Sequence, residues 1–326
     1  ISINEAAVNI AFILKGDIHH RRQFEREYAE LQAALSQAQL TLLESEYPGH
    51  ACELAAQCCG QYDFLVAVGG DGTLNEVLNG SLRVNLGDPA RRLPVFGVLA
   101  HGTANDLARS LRISGSMQEL AALLRSASHR PIDVGRLQCR SEAGEALERY
   151  FLNVADIGIG ARVIQHLSDN HLLLGGNLHY LRAVLRTFLK FHPSELRVES
   201  DTGLRWRGKT LALVAANGSY FGSGLCVAPG ATLDDGQMFI TLVGDAHITD
   251  FIRNLRRLKR GIRLDHPKAQ YHHGRRLEVM HMDEPAAVEA DGEFLGYTPA
   301  QIELMPAAIE FLLPEEAGGS AESHTQ

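Results

Sequence analysis

The first part of the chain alternates between short apolar runs and segments with helical periodicity. Apolar runs at residues 8–14, 64–68 and 95–99 have the length of buried strands. The spacing of apolar residues predicts helices over 24–40 and over 74–78, the second ended by Asn79-Gly80. Strands and helices in alternation predict a parallel sheet with helices on its faces.

Beyond residue 133 the pattern changes to shorter strands separated by Gly, Pro, Asn and Asp. This pattern favours an antiparallel β domain, with strands at 150–154, 196–199, 211–215, 238–243 and 276–279. An apolar stripe interrupts the strands and predicts a helix over 177–191. We therefore predict an α/β domain over 1–133, a β domain over 134–307, and a disordered tail over 315–326, which lacks any apolar period.

Composition agrees with this division and narrows the class of protein. A chain of 326 residues exceeds the size at which a single core stops growing, roughly 250–300 residues. No apolar run approaches the ~20 residues of a membrane span, and no basic segment followed by an apolar one opens the chain, so we expect a cytoplasmic protein. The net charge of −8 argues against a general nucleic-acid binder.

One local basic segment stands out against this acidic background. Apolar and basic residues interleave at helical spacing, the basic ones being Arg253, Arg256, Arg257, Lys259, Arg260 and Arg263. The segment is either the solvated face of a surface helix or a contact with anionic lipid head groups.

The strongest local motif is a glycine-rich turn, Gly69-Gly70-Asp71-Gly72-Thr73, between a predicted strand and a predicted helix. Backbone N–H groups in such a turn can approach a phosphate closely, and the helix N-terminus adds partial positive charge. The turn lacks the glycine pattern of a dinucleotide fingerprint and the Gly-Lys-Ser/Thr of a P-loop. The alternative is a plain turn that joins strand to helix.

A second polar loop follows the next strand, at residues 101–106. Ligands of open α/β sheets bind beyond the carboxyl ends of the strands, so we expect both loops to share one site. Thr103 and Asn105 can donate to phosphate or ribose, and Asp71 or Asp106 could hold magnesium. Asp106 has the alternative role of a helix N-cap, and His101 either contacts the phosphate or is incidental.

Two acidic turns lie in the predicted β domain. Residues 228–236 combine adjacent carboxylates with loop carbonyls, which suits a hard cation or an ordinary Asp-Gly turn. Residues 288–293 place three carboxylates beside a glycine, where one is either a general base or part of a solvated hairpin turn.

Taken together, these stretches resemble the bacterial diacylglycerol kinase and lipid kinase family, related to sphingosine and ceramide kinases. The matching motifs lie in order over nearly the whole chain, at 68–80, 102–109, 151–161, 220–224, 228–236 and 291–293. The resemblance implies an α/β nucleotide domain like that of NAD kinase and phosphofructokinase, and an antiparallel β-sandwich. It also implies that ATP lies between them and that a last strand, about 308–314, returns to the first domain.

The resemblance also implies roles for individual residues. Glu293 of the Asp-Gly-Glu motif would be the general base, with Asp71 in the catalytic set. Magnesium would be bound by the Asp235 carboxylate and by the carbonyls of Thr232 and Gln237. The residues expected to contact ATP are Ser45, Gly69, Gly70, Asp71, Gly72, Thr73, Leu74, Asn75, Thr103 and Asn105.

The resemblance implies an ATP-dependent lipid kinase that phosphorylates the hydroxyl of a membrane lipid such as diacylglycerol. It would act in lipid metabolism, attach peripherally to the inner membrane face, and form a possible homodimer. The family's Asn-Pro-x-(Ser/Ala)-Gly turn is missing, because residues 12–17 read Phe-Ile-Leu-Lys-Gly-Asp. Two alternatives stay open: an NAD kinase or other small-molecule kinase, which shares the glycine turn, and a catalytically silent sensor of lipid or nucleotide.

Overall fold

The computed structural model describes residues 8–315 except 17, 19, 103, 170–185 and 223. Most of the helix predicted over 177–191, and the predicted tail beyond residue 315, lie outside the described residues.

A parallel sheet forms the centre of the first domain. Four of its strands lie in the order β2-β1-β3-β4, namely β1 (Asn9–Lys15), β2 (Gln39–Ser45), β3 (Phe64–Gly69) and β4 (Val95–Ala100). Apolar side chains on the two faces pack against different helices, α1 and α5 on one face and α2 and α3 on the other. The helices are α1 (Arg21–Ala34), α2 (His50–Cys58), α3 (Asp71–Gly87), α4 (Asp106–Ser110) and α5 (Met117–Ser126). The fully buried β3 places the glycine turn at the carboxyl edge of this sheet.

Two helix boundaries predicted from periodicity are wrong. The helix predicted over 24–40 ends at Ala34, because Gln39–Ser45 is an edge strand whose half-buried alternation overlaps the helical pattern. The helix predicted over 74–78 runs from Asp71 to Gly87, so Asn79 and Gly80 lie inside it. Both are buried, because α3 packs there against the backbone of α2 and against β6.

Antiparallel strands build the second domain around a separate apolar core. They are β5 (His129–Arg140), β6 (Ala146–Phe151), β7 (Val154–Gly158), β8 (Ser194–Ser200), β9 (Arg205–Ala216), β10 (Tyr220–Phe221), β11 (Leu225–Cys226), β12 (Met238–Gly244), β13 (Ala269–Gly274), β14 (Arg276–His281), β15 (Ala287–Ala290) and β16 (Glu293–Leu312). Two helices, α6 (Ile159–Asp169) and α7 (Ile248–Lys259), pack outside these strands.

Two long strands connect the domains. Strand β16 pairs along most of its length with β5, and its end also pairs in parallel with β4, Phe311 opposite Phe96. The chain therefore returns to the first sheet at its last strand, and the predicted boundaries at 133 and 307 fall within these two strands. No helix in the described part of the chain is long and apolar enough to cross a membrane.

Candidate active site

The two loops predicted to share a site are in contact at the carboxyl edge of β3 and β4. A Cβ atom on Gly70 would lie 3.1 Å from the Cα of Gly102, so each glycine lets the other loop approach closely. The backbone N–H of His101 donates to the carbonyl of Gly69 at 2.8 Å. The predicted juxtaposition of the two loops is thus present.

Helix α3 begins inside this glycine turn and points its N-terminus at the loop. Among the described residues no side chain caps its first turn, and Gly70 at the N-cap position is extended. The first N–H groups of a helix have no intrahelical acceptor, and the helix dipole adds positive charge to them. The turn can therefore bind an anion such as a phosphate through the backbone of Asp71, Gly72 and Thr73.

Leu74 and Asn75, which follow the glycine turn in α3, are buried. Leu74 is buried in the core of the first domain, and Thr73 packs against Gly69. Asn75 is also buried, and its Nδ2 donates at 3.0 Å both to the carbonyl of Tyr150 and to the carboxylate of Asp291. Both of these hydrogen bonds link the Asn75 side chain to the second domain.

The Asp71 carboxylate caps the helix that follows the second loop. Its two oxygens accept the backbone N–H groups of Asp106 and Leu107, each at 3.1 Å. Asn105 occupies the N-cap position of α4, so the N-cap role considered for Asp106 is wrong: the carboxylate comes from Asp71, on another helix. Asp106 instead pairs with Arg109 at 2.9 Å.

Asn105 and Ser45, two further residues predicted to contact ATP, lie at the carboxyl ends of the parallel strands. Asn105 has a left-handed backbone, and its side chain exchanges hydrogen bonds of 3.1 and 3.0 Å with the backbone of Gly102, which shapes the second loop. Ser45 ends β2, and its carbonyl accepts from Gly16 at 3.2 Å. Thr103 lies outside the described residues.

His101 packs in the first domain beside the glycine turn. Its ring meets Phe24 edge-on, with centroids 6.1 Å apart. Burial lowers the pKa of His101, which favours the neutral imidazole near neutral pH.

The hairpin turn between β15 and β16 is anchored by Asp291. Its buried carboxylate accepts the backbone N–H groups of Leu152, Asn153 and Val154 at 2.8, 3.0 and 3.0 Å, besides the Asn75 amide. The turn is therefore fixed in place and is more than a solvated hairpin. Two residues later, Glu293 is about half exposed and forms an ion pair with Arg149.

A second asparagine strengthens the link between the glycine turn and this hairpin. Asn79 donates to the carbonyl of Tyr150 and accepts its N–H, both at 2.9 Å. Asn75 and Asn79 thus bond the helix that starts at the phosphate turn to the strand beside Asp291. Asn75 and Asn79 are four residues apart and therefore lie on one face of an apolar helix. This spacing is visible in the sequence, but we did not predict the contact from it.

Two buried carboxyl groups lie opposite each other on β7 and β15. Asp156 and Glu289 are paired residues in this ladder, and each is almost completely buried. Burial raises the pKa of Asp156 to about 7 and that of Glu289 well above its usual range. One oxygen of each has no hydrogen-bond partner within the described part of the structure.

Asp156 lies at an apolar cavity of about 150 Å³ in the second domain. The cavity lies between the sheet, α6, α7 and the β10–β11 hairpin, and its walls are almost entirely apolar. Its lining includes Val163, Val214, Phe221, Leu225, Leu258 and Ile262. The lining also includes a few polar side chains, among them Asp156, Asn254 and Tyr271, and such a cavity suits an amphiphile.

Comparisons with known proteins agree with this geometry. Residues 19–137 match the diacylglycerol kinase catalytic domain, and residues 153–313 match the YegS C-terminal NAD kinase beta sandwich-like domain. The diacylglycerol kinase of Bacillus subtilis is 27% identical over 268 residues, which cover 82% of each chain. That of Staphylococcus aureus (strain bovine RF122 / ET3-1) is 25% identical over 299 residues, 91% of this chain and 90% of the relative.

The chain is a lipid kinase. The resemblance to the bacterial diacylglycerol kinase family inferred from its motifs is confirmed.

Solved structures confirm the predicted fold class of this lipid kinase. A putative diacylglycerol kinase from Bacillus anthracis str. Sterne superimposes with a TM-score of 0.74 at 22% identity, over 94% of this chain and 97% of that one. Yeast NADH kinase complexed with NADH gives a TM-score of 0.53 at 11% identity, over 96% and 85%. The α/β domain followed by a β-sandwich is therefore the family fold.

The predicted magnesium loop of the lipid kinase presents oxygen atoms to solvent. Asp235 and Gln237 are exposed, and Asp235 accepts the Gln237 N–H at 2.9 Å through one oxygen. Within the described ranges, no group of three or more His, Cys, Asp or Glu side chains could hold a metal ion. One carboxylate with the carbonyls of Thr232 and Gln237 fits Mg²⁺, which prefers oxygen ligands and keeps several waters.

We expect Asp156→Asn to flatten the pH dependence of stability. Because burial raises the pKa of Asp156 from 3.8 to about 7, the folded state loses stability as pH rises through that window. Above pH 7 the ionised Asp156 lowers the free energy of unfolding by on the order of 4 kcal/mol. Asparagine does not ionise, so the variant avoids this loss. Melting temperatures between pH 5 and 8 measure the effect, with Asp88→Asn on the protein surface as control. An unchanged pH profile in Asp156→Asn would contradict the assignment.

Proposed function

We propose that the protein transfers the γ-phosphoryl group of MgATP to the hydroxyl of a membrane lipid, with diacylglycerol as the first candidate. The observation that carries the proposal is the hydrogen-bonded connection from the glycine turn, through Asn75 and Asn79, to the Asp291 turn that presents Glu293. A phosphate site and a carboxylate are thereby held on one rigid unit across the joint between the domains. The curated relatives, named diacylglycerol kinase, support the same acceptor.

In this mechanism the backbone of the glycine turn binds the phosphates of ATP and holds the γ-phosphorus for in-line attack. Glu293 accepts the proton of the lipid hydroxyl as its oxygen forms the new O–P bond, and the bond to the leaving ADP oxygen breaks. Magnesium bound with ATP would supply positive charge to offset the charge that develops on the phosphoryl oxygens. The ion pair with Arg149 orients the Glu293 carboxylate.

Magnesium at Asp235 would have a separate, structural role. The loop lies next to Asp133, a buried carboxylate that accepts the N–H groups of Gly236 at 2.7 Å and Ala307 at 2.8 Å. An ion bound by Asp235, Thr232 and Gln237 would hold the same loop from its solvent side.

The apolar cavity supports a lipid acceptor over a polar one such as NAD. Its wall surface is almost entirely apolar, which suits acyl chains, whereas the phosphates and hydroxyl groups of a nicotinamide dinucleotide need many polar partners. Protonated Asp156 could donate a hydrogen bond to an oxygen of the lipid from the cavity wall. The cavity residues thus favour lipid over NAD as the substrate class.

Helix α7 is the surface that we propose for peripheral docking at the inner face of the cytoplasmic membrane. Its side chains at Arg253, Arg256, Arg257 and Lys259 are exposed, and Ile252 nearby is 54% exposed. Basic residues beside exposed apolar ones suit an anionic bilayer surface. The same helix forms one wall of the apolar cavity, so docking would bring the cavity close to the membrane. The homodimer implied by the resemblance stays a proposal that a measurement of mass in solution can test.

The decisive experiment follows labelled phosphate from ATP to a panel of lipids in mixed micelles, with NAD as a polar acceptor. We expect label on lipid and none on NAD. In Leu225→Trp, at the cavity wall, we expect kcat/KM for the lipid to fall roughly tenfold or more while ATP affinity is kept. Leu86→Trp, on an exposed part of α3, is the matched control. Label on NAD alone would assign the protein to the NAD kinases, and ATP binding without transfer would favour the silent sensor.

A further inference from the structure

A second cleft of the molecule is lined by arginines that the proposed reaction does not use. It has a volume of about 600 Å³, within the range of roughly 300–1,000 Å³ typical of small-molecule sites. Its basic lining residues are Arg109, Arg112, Arg130, Arg260 and Arg263, and Asp234 is the acidic one. Five arginines in one cleft are a strong local excess in a chain whose net charge is −8.

The arginines come from both sides of the joint between the domains. Arg109 and Arg112 lie at the end of α4 in the first domain, whereas Arg260 and Arg263 follow α7 in the second. An anion bound between them would therefore contact both domains at once. Opposing guanidinium groups are the arrangement that proteins use for phosphate, because each can donate two parallel hydrogen bonds.

Some of these arginines already have partners, and others are available to a ligand. Arg109 pairs with Asp106 at 2.9 Å, and Arg130 lies 3.5 Å from Asp234. Over the described ranges of the chain, no carboxylate lies within ion-pair distance of Arg112 or Arg260, and both side chains are exposed. At least two positive charges in the cleft are thus uncompensated by neighbouring carboxylates.

The backbone at Arg112 places this residue at the wall of the cleft. Its φ of 56° lies in the left-handed region, where helices commonly end, and the Ile113 N–H donates to the Ala108 carbonyl at 3.0 Å. This turn ends α4 and leaves Arg112 in the lining of the cleft.

We propose that this arginine cleft binds a phosphate group, as a phosphate monoester or the head group of an acidic phospholipid. The described residues that line it do not include the glycine turn at 69–73, so it is separate from the anion site proposed for ATP. It shares Cys226 and Pro229 with the apolar cavity, so an acidic lipid can reach both. The binding does not depend on phosphoryl transfer to a lipid.

The test measures binding without ATP and without turnover. The probes are glycerol 3-phosphate, by calorimetry, and vesicles of phosphatidylcholine with or without phosphatidate, by sedimentation. Arg112→Gln combined with Arg260→Gln removes two exposed charges of the cleft. Arg22→Gln combined with Arg125→Gln removes two exposed charges elsewhere and is the matched control.

We expect the cleft variant to bind glycerol 3-phosphate roughly a hundredfold more weakly than the parent, about tenfold for each charged hydrogen bond, with the control unchanged. Binding of glycerol 3-phosphate by the parent protein should weaken as the salt concentration rises. This measurement needs no variant. If the cleft variant loses only its binding to vesicles that contain phosphatidate, the result would support the cleft and identify a membrane head group as its ligand.

Three results would overturn the proposal: no saturable binding of any probe, equal binding by the parent and the cleft variant, or displacement of glycerol 3-phosphate by a non-hydrolysable ATP analogue. The last would make the cleft part of the nucleotide site. Because turnover is never measured, an inactive kinase that binds the probes would refute the proposed function and leave the cleft proposal standing.

Discussion

Glu293→Gln should lower kcat for lipid phosphorylation by roughly 10²- to 10⁴-fold, the range typical for removal of a general base. Glutamine keeps the size of the side chain and can still contact Arg149, but it cannot accept the proton of the attacking hydroxyl. Because the glycine turn that binds the phosphates is untouched, ATP affinity should stay near that of the parent. Turnover with diacylglycerol in micelles and calorimetry with an ATP analogue measure the two quantities separately.

The chain provides a close control for this substitution. Glu303 lies on the same strand β16 and forms a comparable ion pair with Arg136, far along the strand from the Asp291 turn. Glu303→Gln should therefore leave kcat within about twofold of the parent, since removing a surface pair changes little. Nearly full turnover in Glu293→Gln would show that the base is misassigned. A raised KM for ATP with kcat retained would make Glu293 a nucleotide contact.

Gly80→Ala should destabilise the protein by about 3 kcal/mol and lower its melting temperature by roughly 5–10 °C. A Cβ at this position would lie 2.8 Å from the carbonyl carbon of Cys52 and still closer to its oxygen. These are backbone atoms of α2, so no side-chain rotation can relieve the overlap and the two helices must separate. The gain in helix propensity, up to ~1 kcal/mol for alanine over glycine, is too small to offset the cost.

Gly87→Ala, at the end of the same helix, separates the steric effect from the effect on helix propensity. A Cβ there meets no atom of the described residues within 4 Å. We expect its melting temperature to equal or slightly exceed that of the parent, and thermal unfolding followed by circular dichroism measures both variants. If Gly80→Ala melts with the parent, the contact between α2 and α3 is looser than the structure shows.

These two positions illustrate how much the sequence can predict. Apolar runs correctly predicted the parallel strands β1, β3 and β4 but not the half-buried edge strand β2, because only a strand buried on both faces must be apolar along its whole length. The glycine turn was recognisable because strand, glycines and helix follow each other directly in the chain. Gly80 was misread as a helix end, since the sequence does not record that another helix crosses there.

The contacts that organise the candidate site are long-range and were not predictable in the same way. Asn75 meets Asp291 across 216 residues, and Asp71 caps a helix that begins 35 residues later. Asp156 and Glu289 become neighbours only through the pairing of β7 with β15. Each pairing depends on the path of the chain, which hydrophobic periodicity does not report.

The sequence by itself thus determined the α/β domain followed by a β domain, the glycine turn and the family of this kinase. Local patterns suffice for these features, because strands, turns and motifs depend on residues that are close together in the sequence. The tertiary structure alone decided which polar side chains hold the site together, which carboxyl groups are buried beside the apolar cavity, and which arginines share a cleft. Those properties arise from burial and from contacts between distant segments, and both exist only once the chain has folded.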